Sequence, residues 1–263
     1  MFNPLSTKDL AIQIALKLEG EDLWNLCSTN KQLLQWICNN EQFWTQKIIQ
    51  DFDIDTYETL GGSGTSDDYG FLYIIQDKSL SMLDDLLIDK SASGNMDHVK
   101  LLLKEGADIH ADYDEALRFA AGNGYEDVTE FLLENDANIH VWNDAALVLA
   151  AESGHKDVVK LLLKKGARIH AENDKALRYA VRNGHRDVVK LLLKNGANIH
   201  AKNDEALRWV ARSGHEDIVE LLLKSGANIH ANNNEALRLA VENGYNDITE
   251  LLLKNGANPA VLN

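Results

Sequence analysis

The amino-acid sequence predicts an all-α fold, a solenoid of stacked helix-turn-helix units preceded by a small helical domain. Three observations carry that expectation. Glycine recurs every thirty residues at Gly94, Gly124, Gly154, Gly184, Gly214 and Gly244, and again at Gly106, Gly166, Gly196, Gly226 and Gly256, with Asp136 the exception. Apolar residues inside each period keep helical spacing. The first eighty-three residues lack the period but carry helical spacing of their own. A fixed period in this range marks units that bury their apolar faces only against neighbours. Such a stack offers an extended surface rather than a pocket, so binding is the expected activity.

One unit, read from Asp174, is DKALRYAVRNGHRDVVKLLLKNGANIHAKN, and closely matched copies begin at Asp114, Asp144, Asp204 and Asn234, with a looser one at Asp84. Ala176, Leu177, Ala180 and Val181 share one face of a first short helix. Asn173 and Asp174 precede it and are read as its N-terminal caps. Gly184 turns the chain back in a left-handed conformation. A second helix follows, with Val188, Leu191 and Leu192 facing the core and Asp187 at its positive end. Gly196 ends it. Each helix is too short to be stable alone, so stacking must hold it.

The string NGHxDVVKLLLKNGAxI, over residues 84–263, resembles the ankyrin repeat. Glu205-Ala206-Leu207-Arg208 stands where that family usually has Thr-Pro-Leu-His, and the unit is three residues shorter than the family's thirty-three. The shortening falls at the tip of the connecting hairpin, so a blunter loop is expected. Thirty-residue units of this style resemble those of ankyrin proteins of amoeba-infecting giant DNA viruses.

Positions that change between copies are the candidates for partner recognition. The connector position reads Trp142, Glu172, Lys202 and Asn232, and the end of the first helix reads Gly122, Glu152, Arg182, Arg212 and Glu242. By the resemblance, these positions line the concave binding face. The candidate protein-binding residues are therefore Trp142, Glu152, Glu172, Arg182, Lys202, Arg212, Asn232 and Glu242. Trp142 beside Arg182 and Arg212 would suit an interface, where both types are enriched; packing of Trp142 on its neighbouring loop is the alternative. The series Phe119, Leu149, Tyr179, Trp209 and Leu239 is read as core between units. Arg118, Arg178, Arg208 and Arg238 are read as donors to loop carbonyls or acids rather than as a phosphate site. The histidines at 110, 140, 170, 200 and 230 are read as structural, because metal ligands must converge whereas repeats set equivalent residues apart.

The first eighty residues place Leu10, Ile14, Leu18, Asp22, Leu23, Leu26, Leu33, Leu34, Ile37, Phe43 and Trp44 in a pattern of three compact helices. Residues 4–50 resemble an F-box, the module that docks on the Skp1 adaptor of cullin–RING ubiquitin ligases. The matching residues are Leu10, Ile14, Leu18, Asp22, Leu23, Leu26 and Trp44; Asn3-Pro4-Leu5-Ser6 and Thr29-Asn30 depart from the family pattern. A helical cap over the first unit is the alternative. Residues 61–68, GGSGTSDD, read as a flexible loop without the Gly-Lys-Ser/Thr ending of a phosphate-binding loop. The expected organisation is a helical F-box-like domain over 1–52, a loop and connecting helix over 53–83, and six repeats over 84–263. Lys90, where later units carry Ala or Val, marks a terminal repeat, and the last unit ends without a polar cap helix.

The net charge of −15 disfavours nucleic acid or an anionic membrane as the main partner. It is unevenly spread: residues 114–143 carry 1 basic against 7 acidic side chains, and 174–203 carry 7 against 2. No apolar run approaches the roughly eighteen residues of a membrane span, and no secretory leader is evident. Cys27 and Cys38 are too few for a disulfide framework, so a cytoplasmic setting is expected, with the nucleus left open. No catalytic set, metal cluster or cofactor motif is present in the sequence, so a non-enzymatic adaptor is expected. Its partners would be a Skp1-like protein and a target protein; a plain scaffold that occludes a partner is the alternative.

Overall fold

A computed structural model describes residues 80–262. Leu10, Ile14, Leu18, Asp22, Leu23, Leu26 and Trp44, and the loop at 61–68, lie outside the described residues. Residues Asp84–Asn263 form one compact unit of paired helices. The pairs are α1 (Leu80–Ala92) with α2 (Met96–Lys104), α3 (Ala111–Asn123) with α4 (Glu126–Glu134), α5 (Val141–Ser153) with α6 (Lys156–Lys164), α7 (Ala171–Arg182) with α8 (Arg186–Lys194), α9 (Ala201–Ser213) with α10 (Glu216–Lys224), and α11 (Ala231–Glu242) with α12 (Asn246–Lys254). A 3-10 turn, Pro259–Leu262, follows.

First helices pack on first helices of neighbouring units, and second helices on second helices. The core is two continuous layers built from the repeated small and branched residues. In the Asp174 unit, Ala176, Leu177, Ala180 and Val181 of α7 are buried, as are Val188, Val189 and Leu192 of α8. Leu191 keeps a partly exposed edge. Burying one leucine contributes about 1.5–3 kcal/mol, and a nine-residue helix such as α8 needs that contribution because it is below the length stable in isolation.

Gly184 has φ +81, and a side chain there would lie 2.6 Å from the His215 ring of the next unit. The turn closes as a Schellman motif, with the Gly184 N–H donating to Val181 O and the His185 N–H to Ala180 O. At the other end of each unit the chain does something that no propensity rule requires. Lys202, Asn203 and Asp204 have φ of 49, 59 and 56, a full left-handed turn, and the same run recurs at 112–114, 142–144, 172–174 and 232–234. Left-handed backbone costs about 1–2 kcal/mol per ordinary residue, less for Asn and Asp. No strand occurs among the described residues, and this compact turn stands where a hairpin finger was expected to be blunted.

Two sets of bonds stabilise the turn. The Asp204 carboxylate, buried, accepts from the Asn228 N–H near the far end of its own unit at 2.7 Å and from His200 Nδ1 of the preceding unit at 3.0 Å. Equivalent bonds join Asp84 to Asp108, Asp114 to Asn138, Asp144 to Arg168, Asp174 to Asn198, and Asn234 to Asn258. This corrects the expectation that Asp174 caps its own helix: at φ +54 its carboxylate instead accepts from the Asn198 N–H beyond α8 of the same unit and from the His170 ring of the unit before. The second set comes from the arginines described below.

Candidate protein-binding face

One large side chain per unit stands on the outer face of the first helices. These are Phe119, Leu149, Tyr179, Trp209 and Leu239, expected as core between units. None is buried, and Phe119 is 40% exposed. The physical reason is that Ala116, Leu117 and Ala120 and their equivalents already fill the space between units, so the larger residue is displaced outward. Tyr179 and Trp209 approach at 6.0 Å between ring centres. Cations surround them: Arg178 and Arg182 lie 5.5 and 5.7 Å from the Trp209 ring, and Lys175 lies 5.5 Å from Tyr179. Each such contact is worth about 0.5–1 kcal/mol where exposed.

The residues expected to bind are placed along two edges of this ridge. Arg182, Arg212 and Glu242 are exposed at the ends of α7, α9 and α11. Glu152 is partly exposed, and its carbonyl accepts from Asn183 Nδ2 and His185 Nε2, each at 2.8 Å. Trp142, Glu172, Lys202 and Asn232 each open a left-handed turn and are exposed. Glu172 pairs with Lys175 at 2.8 Å. Asn232 accepts from Asn203 and donates to Glu235 at 3.0 Å. The Asn232 amide holds the Glu235 carboxyl below the ordinary range; burial opposes this, and the nearby Arg208 charge reinforces it.

Trp142 differs from its expected setting. It lies over the Arg118 guanidinium at 4.0 Å and against Tyr113 at 5.9 Å, not beside Arg182 and Arg212, and it remains 56% exposed. The left-handed turn at Trp142 directs the ring back onto α3 and the turn that opens it, so its partners come from there. Tyr113, 67% exposed, is a surface residue that sequence reasoning missed. The available signal was variation: Tyr113, Asn143, Asn173, Asn203 and Asn233 occupy one position, and only the first is aromatic. The same signal was present in the Phe119–Leu239 series, whereas in the copies from Asp114 onward the core position of Leu117 stays Leu and that of Ala120 changes only to Val.

The arginine series acts as expected. Arg118 Nε donates to Tyr113 O at 3.2 Å and its Nη2 to Asp112 O at 2.9 Å; Arg178 does the same to Asn173 O and Glu172 O, at 3.0 and 3.1 Å. Arg208 and Arg238 reach Lys202 O and Asn232 O at 3.0 and 3.3 Å. Arg178 and Arg208 also pair with Glu205 and Glu235 of the next unit. Val148 interrupts the series. Each histidine ring likewise bonds its own partner four residues on, as His170 Nδ1 does Asp174 at 3.0 Å. Among the described residues no group of three or more His, Cys, Asp or Glu could hold a metal ion.

Asp144 is fully buried. Burial alone would raise its pKa, but the Arg168 N–H, the His140 ring and the Arg168 guanidinium outweigh burial and hold it below the ordinary value of 3.8. Beside it a cavity of about 470 Å³ is lined by Asn143, Arg168, Ile169, His170 and Ala171.

A family model for ankyrin repeats, three copies each, matches residues 87–173, 118–203 and 177–263. The chain belongs to the ankyrin-repeat family. Its stack is similar to the crystal structure of the human ASB11 ankyrin repeat domain, at 26% identity and a TM-score of 0.59, over 65% of this chain and 84% of that one. No curated protein matches it. Ankyrin repeats typically serve as non-catalytic modules for protein–protein interaction, which agrees with an outer face of variable residues over a repeating frame. No helix among the described residues is long and apolar enough to cross a membrane.

Proposed function

We propose that this ankyrin protein is an adaptor in which the first-helix face holds a target protein and the N-terminal helices dock on a Skp1-like component of a cullin–RING ubiquitin ligase. The observation that carries the binding half is the ridge of half-exposed Phe119, Leu149, Tyr179, Trp209 and Leu239, flanked by side chains that change from unit to unit. A surface that varies over an otherwise repeated frame is where specificity can reside. The docking half rests on Leu10, Ile14, Leu18, Asp22, Leu23, Leu26 and Trp44 and their likeness to an F-box. The likeness of the units to those of giant amoebal viruses makes a host protein the proposed target and the host cytoplasm the proposed setting.

Co-purification with Skp1 at micromolar concentration tests the docking half, with Leu23→Asp expected to abolish it. Failure to bind, or binding indifferent to Leu23→Asp, sinks the adaptor reading and leaves a scaffold that occludes its partner. Deleting residues 1–50 separates the two further: the adaptor loses Skp1 and keeps its target, and the scaffold loses no partner. Arg182→Glu with Arg212→Glu should weaken target binding with a melting temperature changed by no more than about 1–2 °C, since exposed substitutions alter stability by roughly 0.5 kcal/mol or less.

A further inference from the structure

The exposed aromatic side chains of the described residues fall in one place. Tyr113, Phe119 and Trp142 are 67%, 40% and 56% exposed, and they belong to α3 and to the turns that open α3 and α5. Elsewhere along the ridge the aromatic residues are better covered, Tyr179 and Trp209 being half-buried and packed with arginines. The patch is also rigid at its base. The Arg118 guanidinium under Trp142 is 5% exposed and fixed by the carbonyls of Asp112 and Tyr113, so one face of the indole is held and the other is open. Pre-ordered aromatic and arginine residues are the usual anchors of interfaces, because little side-chain freedom is left to lose.

The surrounding charge has one sign. Residues 84–143 carry 14 acidic and 4 basic side chains, so two consecutive units hold −10 of the chain's net −15. Arg118 lies within 3.3 Å of Glu115, so the only cation of residues 114–143 is already engaged. A cationic partner approaching this end is drawn in, and an acidic one is repelled.

We propose that the Tyr113–Phe119–Trp142 patch is the main anchor of the target-binding face and takes a basic segment of a protein, Lys and Arg flanking an apolar side chain. This rests on the reading of the first-helix face as a target-binding surface, and places the main anchor at its acidic end, with Arg182 and Arg212 meeting the target further along the face. The apolar side chain packs on the open faces of Tyr113 and Trp142, and a flanking cation either stacks on the indole or meets the acidic field. Asn143, the residue after Trp142, lines the cavity of about 470 Å³ with residues of the next unit.

The test uses the full chain and three bead-bound peptide pools that share leucine and tryptophan anchors, with flanks of Lys and Arg, of Asp and Glu, or of Ser and Gln. The variants Tyr113→Asn and Trp142→Asn install residues that this fold already uses at Asn143 and Asn232, and they change no charge. The basic pool should retain at least about tenfold more of the chain than the acidic pool. Tyr113→Asn with Trp142→Asn should reduce that retention about tenfold, whereas Lys160→Glu with Lys190→Glu, exposed on the second helices α6 and α8, should leave it unchanged. Retention of the basic pool that ignores the asparagine pair means diffuse charge attraction and overturns the proposal. Stronger retention by the acidic pool, lost on reversal of Arg182 and Arg212, overturns it while upholding the target-binding face. Retention by no pool overturns both.

Discussion

Replacing Asp204 by asparagine, alanine and glycine separates the two things its side chain does. Its carboxylate accepts from the Asn228 N–H and from His200, and the residue occupies φ +56. Asparagine should cost less than about 1 kcal/mol, because Asn234 already makes both bonds through its amide oxygen, at 3.0 Å to the Asn258 N–H and 3.0 Å to His230. Alanine removes both acceptors and leaves the Asn228 N–H without its partner, worth about 1–3 kcal/mol. It also loses the local bonding that eases the left-handed region, adding about 1 kcal/mol. Glycine loses the same bonds without the conformational strain. The expected order of destabilisation is therefore Asn, Gly, Ala, with Ala at about 2–4 kcal/mol. Thermal melts followed by far-UV circular dichroism would show shifts of roughly 2–4 °C per kcal/mol at this size. Amide exchange at Asn228 localises the effect, since the opening should be confined to that junction. If Ala and Asn agree within about 0.5 kcal/mol, or if Gly is worse than Ala, the carboxylate does not join the units as argued.

Asp144 predicts a pH dependence. Its folded pKa lies below 3.8, so its contribution is complete above the unfolded value and is lost as pH falls through the lowered folded value. Acid titration of stability should steepen below pH 3.8, and Arg168→Ala should flatten that limb. Gly184→Ala meets both a positive φ and the His215 ring, and should cost about 1–3 kcal/mol in urea unfolding; no change would mean that the ring moves aside freely. Arg178→Met removes donors to Asn173 O, Glu172 O and Glu205 from a buried site, and should cost about 2–4 kcal/mol in the same assay, more than Arg208→Met, whose guanidinium is less buried.

The frame was legible because it depends on spacing alone. Glycine at fixed intervals, Ala176 and Leu177 on one helical face, and Asp187 at a helix start each follow from backbone geometry that one period displays completely. The arginine series was legible too, since its faithful repetition matched a fixed acceptor. The candidate face was only partly legible. Phe119 and Trp209 are apolar at a helical position, and composition cannot tell an inward from an outward orientation there; only the filling of the inner space by Ala116 and Leu117 decides it. The left-handed turns were illegible for a different reason. Trp142, Glu172 and Lys202 have no preference for positive φ, and the conformation is imposed by the forward bond from the aspartate two residues later. That bond closes a loop of twenty-four residues that no local pattern displays, which is also why Asp174 reads as a local cap in the sequence.

The forward aspartate bond gives the stack a grammar for changing its length. From Asp114 to Asp204 each carboxylate accepts from a backbone N–H twenty-four residues on, in its own unit, and from a histidine four residues back, in the unit before, and neither partner depends on which copy supplies it. Excision of residues 144–173 would present His140 with Asp174, their duplication would present His170 with a second copy of Asp144, and every remaining junction would keep its own acceptor. Stack length can thus drift in steps of thirty residues without a new interface being invented, and each step moves the acidic and basic stretches of the face closer together or further apart.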